Sequence, residues 1–215
     1  MPRGGGGAGP ALSSTRVCFF GDSFTAGVGD GECRGWVGRL GAAAHLRGVE
    51  LTIYNLGVRR DTGADIARRW RAEAAARLPA DAEAVLVFSF GANDCATTDG
   101  GGARVALDAA LDHAAAVLGA AHVWCPTLMV GPLPILDDPA ADARVVALAR
   151  RMGQLCAGIG VPFLDVLPFA LASDVWRDSA SRGDGTHPGA DGYAALALYV
   201  ERWPAWRGLV GLPPA

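Results

Sequence analysis

Three short stretches carry the residue types that acyl transfer requires. Gly21-Asp22-Ser23 closes an apolar run, Val17-Cys18-Phe19-Phe20, and precedes a Gly-rich turn. Asp184-Gly185-Thr186-His187-Pro188 lies near the other end of the chain, and Gly91-Ala92-Asn93-Asp94 follows the most apolar run between them. A serine hydroxyl is a poor nucleophile until a histidine takes its proton and an acid orients that histidine. An aspartate three residues before a histidine, with glycine and threonine between, turns back within one loop. Its carboxylate then holds Nδ1–H and leaves Nε2 facing the serine. The same pair also fits a capping turn before the final helix, with Pro188 suited to the helix entry. Acyl transfer further needs donors for the oxyanion, each worth roughly 10²–10³ in rate. The Asn93 amide, the backbone N–H of Ser23 and the turn Gly57-Val58-Arg59-Arg60 are the candidates, although Asn93 by itself also fits an Asx turn.

For these stretches to meet, the elements between them must bring both ends of the chain to one edge. Apolar runs at residues 16–20, 51–56, 84–90, 122–130 and 162–166 are expected strands. Helical spacing is expected at 35–46, where Trp36, Val37, Leu40 and Leu46 recur, and from a cap at Asp61 or Thr62 to Leu78. In the latter, Ile66, Trp70 and Leu78 face inward and Arg68, Arg69 and Arg71 mostly outward. Further helices are expected at 103–118, 142–157 and 189–202, with an irregular stretch at 167–185. Strands that are apolar throughout and alternate with helices predict a three-layer α/β/α sandwich around a five-stranded parallel sheet. Every strand then opens its carboxyl end on the same rim, where Ser23, Asn55 to Asp61, Gly91 to Asp94, Gly131-Pro132, Asp184 and His187 all lie.

Gly21-Asp22-Ser23-Phe24, Asn55-Leu56-Gly57, Gly91-Ala92-Asn93-Asp94 and Asp184-Gly185-Thr186-His187-Pro188, in that order, resemble the blocks of the SGNH (GDSL-type) hydrolases. These are esterase, lipase, thioesterase and carbohydrate-esterase relatives with a flavodoxin-like sheet. The resemblance runs from about Arg16 to Arg202. It implies Ser23 as nucleophile, His187 as base, Asp184 as its orienting acid, and Asn93 as the side-chain oxyanion donor. It also implies an ester or thioester substrate, and a reaction that needs no cofactor and no metal. Two departures stand out. Phe24 replaces the usual leucine, and Arg60-Asp61-Thr62 stands where relatives often have Gly-Asp-Thr. If that glycine is the backbone oxyanion donor in relatives, its counterpart here, third after Asn93 and the Ser23 N–H, is Arg60 rather than Gly57, provided Arg60 need not take a positive φ. The Arg60 guanidinium either leans over the site toward an anionic substrate group or points to solvent.

Composition removes other classes. At 215 residues the chain is expected to hold one domain, residues 15–207, with a Gly-rich tail at 1–14 and a C-terminal tail at 208–215. All 19 basic residues are arginines, scattered without a basic block, and net charge is −3, so nucleic acid is not an expected partner. No run reaches a membrane-spanning length, and no apolar leader is evident, so a cytoplasmic protein acting on a small acyl ester is expected. Five cysteines without CxxC spacing read as buried thiols, Cys95 among them, not as a disulfide or zinc framework. His45, His113 and His122 read as structural. The alternative is a nucleotide- or phosphate-binding flavodoxin-like domain, against which stands the absence of GxGxxG and of a Walker sequence. Phe24, Phe169 and Trp176 are candidate walls for the acyl group and equally candidates for the core.

Overall fold

The computed structural model describes residues 14–214, so the expected N-terminal tail lies, but for Ser14, outside the described residues. Strands β1 (Thr15–Gly21), β2 (Leu51–Gly57), β3 (Ala84–Ser89), β4 (Thr127–Val130) and β5 (Phe163–Leu164) form one sheet in the order β2-β1-β3-β4-β5. All neighbours pair in parallel. The helices are α1 (Ser23–Ala26), α2 (Gly35–Leu46), α3 (Gly63–Ala75), α4 (Ala92–Cys95), α5 (Leu107–Trp124) and α6 (Pro139–Ile159). They continue with α7 (Leu167–Ala172), α8 (Asp174–Ser181), α9 (Ala190–Glu201) and α10 (Pro204–Leu209).

The strands are apolar throughout because alternate residues feed two separate cores. Val17, Phe19, Val85, Val87, Leu128 and Val130 point to the face covered by α2, α8, α9 and α10. Cys18, Phe20, Leu86, Phe88 and Met129 point to the face covered by α3, α5 and α6. On the first face Phe19 meets Trp36 edge-on at 5.4 Å, and on the second Phe20 stacks on Phe88 at 5.4 Å. Each such fully buried aromatic contributes roughly 1.5–3 kcal/mol by removal from water. This is the expected three-layer sandwich, in the flavodoxin-like strand order. The chain leaves β1 toward β2 on one side and returns to β3 on the other. The resulting crevice at their carboxyl ends is where an open α/β sheet accepts a ligand.

Several boundaries differ from those expected. The helix expected at 103–118 is α5, which runs on to Trp124, and the strand expected from His122 begins only at Thr127. Gly119 alone does not end the alanine-rich helix, which runs on until Pro126, ahead of which Cys125 is fully extended (φ −158°). The stretch expected to be irregular, 167–185, holds α7 and α8, the latter begun by the Ser173 hydroxyl, which accepts from the Trp176 N–H at 3.2 Å. Thr62, not Asp61, caps α3, in a capping box with Asp65. Leu46, placed inward by spacing, is 84% exposed. The packed core also continues past residue 207, where a tail was expected. Val210 and Leu212 lie against the α2/α9 side, where apolar side chains following α10 find room.

Candidate active site

Ser23 is the first residue of α1, separated from β1 only by the N-cap residue Asp22. The turn that presents it is held from three sides. The Asp22 carboxylate caps α1 by accepting the Phe24 N–H at 2.9 Å. The Asn55 amide on β2 donates to the Thr25 carbonyl at 2.8 Å. Gly21 has no room for a side chain, since a Cβ there would lie 2.0 Å from Thr25 Oγ1 and 2.3 Å from the Ser89 carbonyl. β1 and β3 thus approach closely enough to fix where the serine leaves the sheet.

His187 reaches Ser23 across almost the whole sequence. Its Nε2 is 2.8 Å from Ser23 Oγ, and its Nδ1 is 2.7 Å from Asp184 Oδ2. Gly185 takes a positive φ of 84° and reverses the chain, so that Asp184 Oδ1 also accepts the backbone N–H of Thr186 and of His187 at 3.0 and 2.8 Å. Burial raises the Asp184 carboxyl, but the His187 N–H, its imidazole and the Thr186 N–H outweigh this and hold it at about 2. The acid is therefore ionised at any working pH. The imidazole is buried under Phe24, ring centroids 5.0 Å apart, and Phe24 in turn packs on Trp176 at 6.2 Å. Phe24 and Trp176 thus belong to the wall behind the base and to the core.

The remaining site residues lie on the neighbouring strand ends. Asn93 stands in α4 after β3, and Arg60 in the turn between β2 and α3. Arg60 does adopt a positive φ, 73°, the condition under which a side chain at this position carries strain. Its backbone N–H, the Ser23 N–H and Asn93 Nδ2 each make no hydrogen bond among the described residues. Gly57 is spent differently: its N–H donates to Asn55 Oδ1 at 3.1 Å. Arg69, expected outward, turns in, donating to Asp61 at 2.7 Å and to the Gly21 carbonyl at 3.2 Å. Cys95 is a buried thiol, its pKa pushed up to about 12 by burial and the nearby Asp94 charge. No cluster of three or more His, Cys, Asp or Glu among the described residues could hold a metal ion. No helix of the described residues is long and apolar enough to cross a membrane.

Two buried acids lie beneath this rim. Burial pushes Asp22 up to about 7, against the pull of the Phe24 N–H and helped by the charges of Asp94 and Asp61. Burial likewise raises Asp94 to about 6, although it accepts the Gly63 N–H on both oxygens at 3.1 and 3.0 Å. An acid whose native pKa exceeds its unfolded value holds its proton more tightly in the fold. It adds stability below the unfolded value, and that stability drains away as pH rises through the native pKa. Asp22→Asn keeps an acceptor for Phe24 without the charge. Relative to wild type, the variant is expected to gain about 1–3 kcal/mol between pH 5 and pH 8 in urea denaturation. A pH-independent difference would refute the charged, desolvated reading of Asp22.

Sequence reasoning missed Arg104 and the bridging role of Asp94. Arg104 follows a Gly-rich loop and belongs to no spaced pattern, and only tertiary placement shows what it touches. Two recesses flank the sheet. One of about 440 Å³ lies behind Asp184 and His187, bounded by Gly29, Ser179 and Arg182. The larger, about 530 Å³ and apolar, lies at the opposite edge, against Pro126, Pro162 and Pro204, away from Ser23.

Residues 19–195 match the sequence profile of the GDSL-like lipase/acylhydrolase family, and the chain belongs to that family. It is a hydrolase acting on ester bonds. Among solved structures, the lipase/acylhydrolase from Enterococcus faecalis superposes with a TM-score of 0.73 at 21% identity, covering 94% of this chain and 98% of that one. Axe2, an acetylxylan esterase from Geobacillus stearothermophilus, does so with a TM-score of 0.69 at 19% identity, covering 94% and 98%. LAE5, an α/β hydrolase enzyme from the metagenome of Lake Arreo, Spain, gives 0.69 at 19%, covering 94% and 97%. At these identities the likeness establishes the fold. No curated protein sequence matches the chain.

Proposed function

We propose that the chain cleaves carboxylic esters of small acyl groups through a Ser23–His187–Asp184 triad and an acyl-enzyme intermediate. The observation that carries this reading is the relay Asp184 Oδ2, His187 Nδ1, His187 Nε2, Ser23 Oγ, with contacts of 2.7 and 2.8 Å. The ionised acid fixes the tautomer with Nδ1–H, which leaves Nε2 unprotonated toward the serine. His187 takes the Ser23 proton as Oγ attacks the acyl carbon, and returns it to the leaving alcohol as the tetrahedral intermediate collapses. Water then enters by the same route and releases the acid. The Ser23 N–H, the Arg60 N–H and Asn93 Nδ2 receive the oxyanion in both steps.

The protein is expected to hydrolyse p-nitrophenyl acetate and butyrate without added metal, and a fluorophosphonate to add once, at Ser23, as read by peptide mass. Labelling elsewhere, or esterase activity that survives complete labelling, would overturn the assignment. Acyl-thioesters assayed alongside measure how far the leaving group matters. The match to an acetylxylan esterase fold favours including acetylated xylo-oligosaccharides in the same panel.

A further inference from the structure

Arg104 lies on the surface between two of the oxyanion donors and touches both of their segments. Its own backbone is stitched to the end of α4, since the Arg104 N–H donates to the Ala96 carbonyl at 3.1 Å and the Val105 N–H to the Asp94 carbonyl at 2.9 Å. From there the guanidinium reaches two acceptors. Nη1 donates to Asn93 Oδ1 at 3.2 Å, and Nη1 and Nη2 both donate to the Arg60 carbonyl at 3.3 Å.

We propose that Arg104 is a positioning residue that sets the oxyanion hole by clamping Asn93 and the Arg60 turn together. The inference rests on the triad reading above and deepens it. A guanidinium has only donors, so Asn93 must present its oxygen to Arg104, and its NH₂ therefore faces the other way. The amide is held in one of its two flips by charge, where a free asparagine samples both. At residue 60 the problem is the backbone. A non-glycine residue at φ 73° pays for a left-handed conformation that glycine holds freely. Two donors on its carbonyl offset that penalty and hold the direction of its N–H. The planar fork suits this task, because a lysine supplies the charge without two fixed directions. On the inner side Asp94 makes a second tie between the same segments, through the Gly63 N–H.

Arg104 is exposed, so Arg104→Ala should fold with a melting temperature close to wild type. On p-nitrophenyl acetate its kcat should fall about 10–100-fold with KM within about threefold, since the donors act on the transition state. A trifluoromethyl ketone, which forms the tetrahedral adduct, should weaken in the same proportion as kcat/KM. Arg104→Lys should stay nearer the alanine variant than wild type. Two further variants separate positioning from other roles. Adding Arg60→Gly to Arg104→Ala should restore at least about threefold of kcat, because glycine holds the left-handed turn unaided. In an Asn93→Ala background the loss from Arg104→Ala should shrink by at least about threefold.

An Arg104→Ala enzyme with wild-type kcat, or one whose KM alone rises, would overturn the inference. So would full multiplication of the Asn93 and Arg104 losses. Ser23→Ala is measured in parallel. Retained activity there would overturn the triad and this inference together, whereas an inactive Ser23→Ala beside an unaffected Arg104→Ala overturns this inference alone.

Discussion

Ser23→Ala is expected to lower kcat on p-nitrophenyl esters by roughly 10⁴–10⁶-fold, down to the residue left by the oxyanion donors and binding. The change deletes one oxygen whose only side-chain partner among the described residues is His187 Nε2. The apolar surroundings of α1 are untouched, and Asp22 still caps the Phe24 N–H. Melting temperature should therefore shift by no more than a few degrees. The imidazole loses one hydrogen bond, worth about 1 kcal/mol. Active-site titration with a fluorophosphonate should fall to zero in the same preparation. Turnover within about tenfold of wild type would remove Ser23 from the mechanism.

His187→Ala should cost as much as Ser23→Ala, and the Ser23→Ala/His187→Ala double variant no more than either alone. The hydroxyl and the imidazole do one job, so removing the second after the first removes nothing further. Multiplying losses would mean that His187 acts apart from Ser23. Asp184→Asn should be less severe, roughly 10²–10⁴-fold, because the amide now presents NH₂ to Nδ1 and favours the tautomer with Nε2–H facing the serine. Two readouts check this: kcat across pH, and denaturation on the acid side. With its carboxyl held at about 2, Asp184 contributes stability above its unfolded value, and that stability is lost as pH falls from about 4 toward 2. Asp184→Asn should flatten this limb of the stability curve, lying below wild type by a constant amount above pH 5 and converging with it toward pH 2.

The parts of the site that were legible in the sequence are those built within a few residues. Asp184 and His187 share a loop three residues apart, with Gly185 supplying the reversal, so their geometry is encoded locally. Ser23 follows a strand whose apolar character is visible without a fold. The two-sided burial of β1 and β3 gave the layers, and with the layers came the common rim. Illegible features depended on what the chain meets elsewhere. The end of α5 and the start of β4 blur because Ala, Val and Trp at 120–124 suit either state, and Pro126 decides. α7 and α8 lie in a stretch without long apolar periodicity, and their inward residues, Ala170 and Trp176, make sense only against α9. Arg69 and Arg71 are alike in sequence, yet Arg69 turns in because the fold brings Asp61 and the Gly21 carbonyl, which also accepts the Val58 N–H, within its reach. The positive φ of Arg60 has no local signal, since an arginine and not a glycine stands at that turn.

The contact between Ser23 and His187 spans 164 positions. On the ribosome, Ser23 and the whole of β1 are therefore made well before His187. His187 arrives just before α9, which packs on α2, and α10 comes later still. On the proposed triad, hydrolytic competence should appear only once these two distant segments have met. Turnover in a refolding reaction should be the last signal to recover, after helix content and tryptophan burial, which makes this enzyme its own reporter of completed folding.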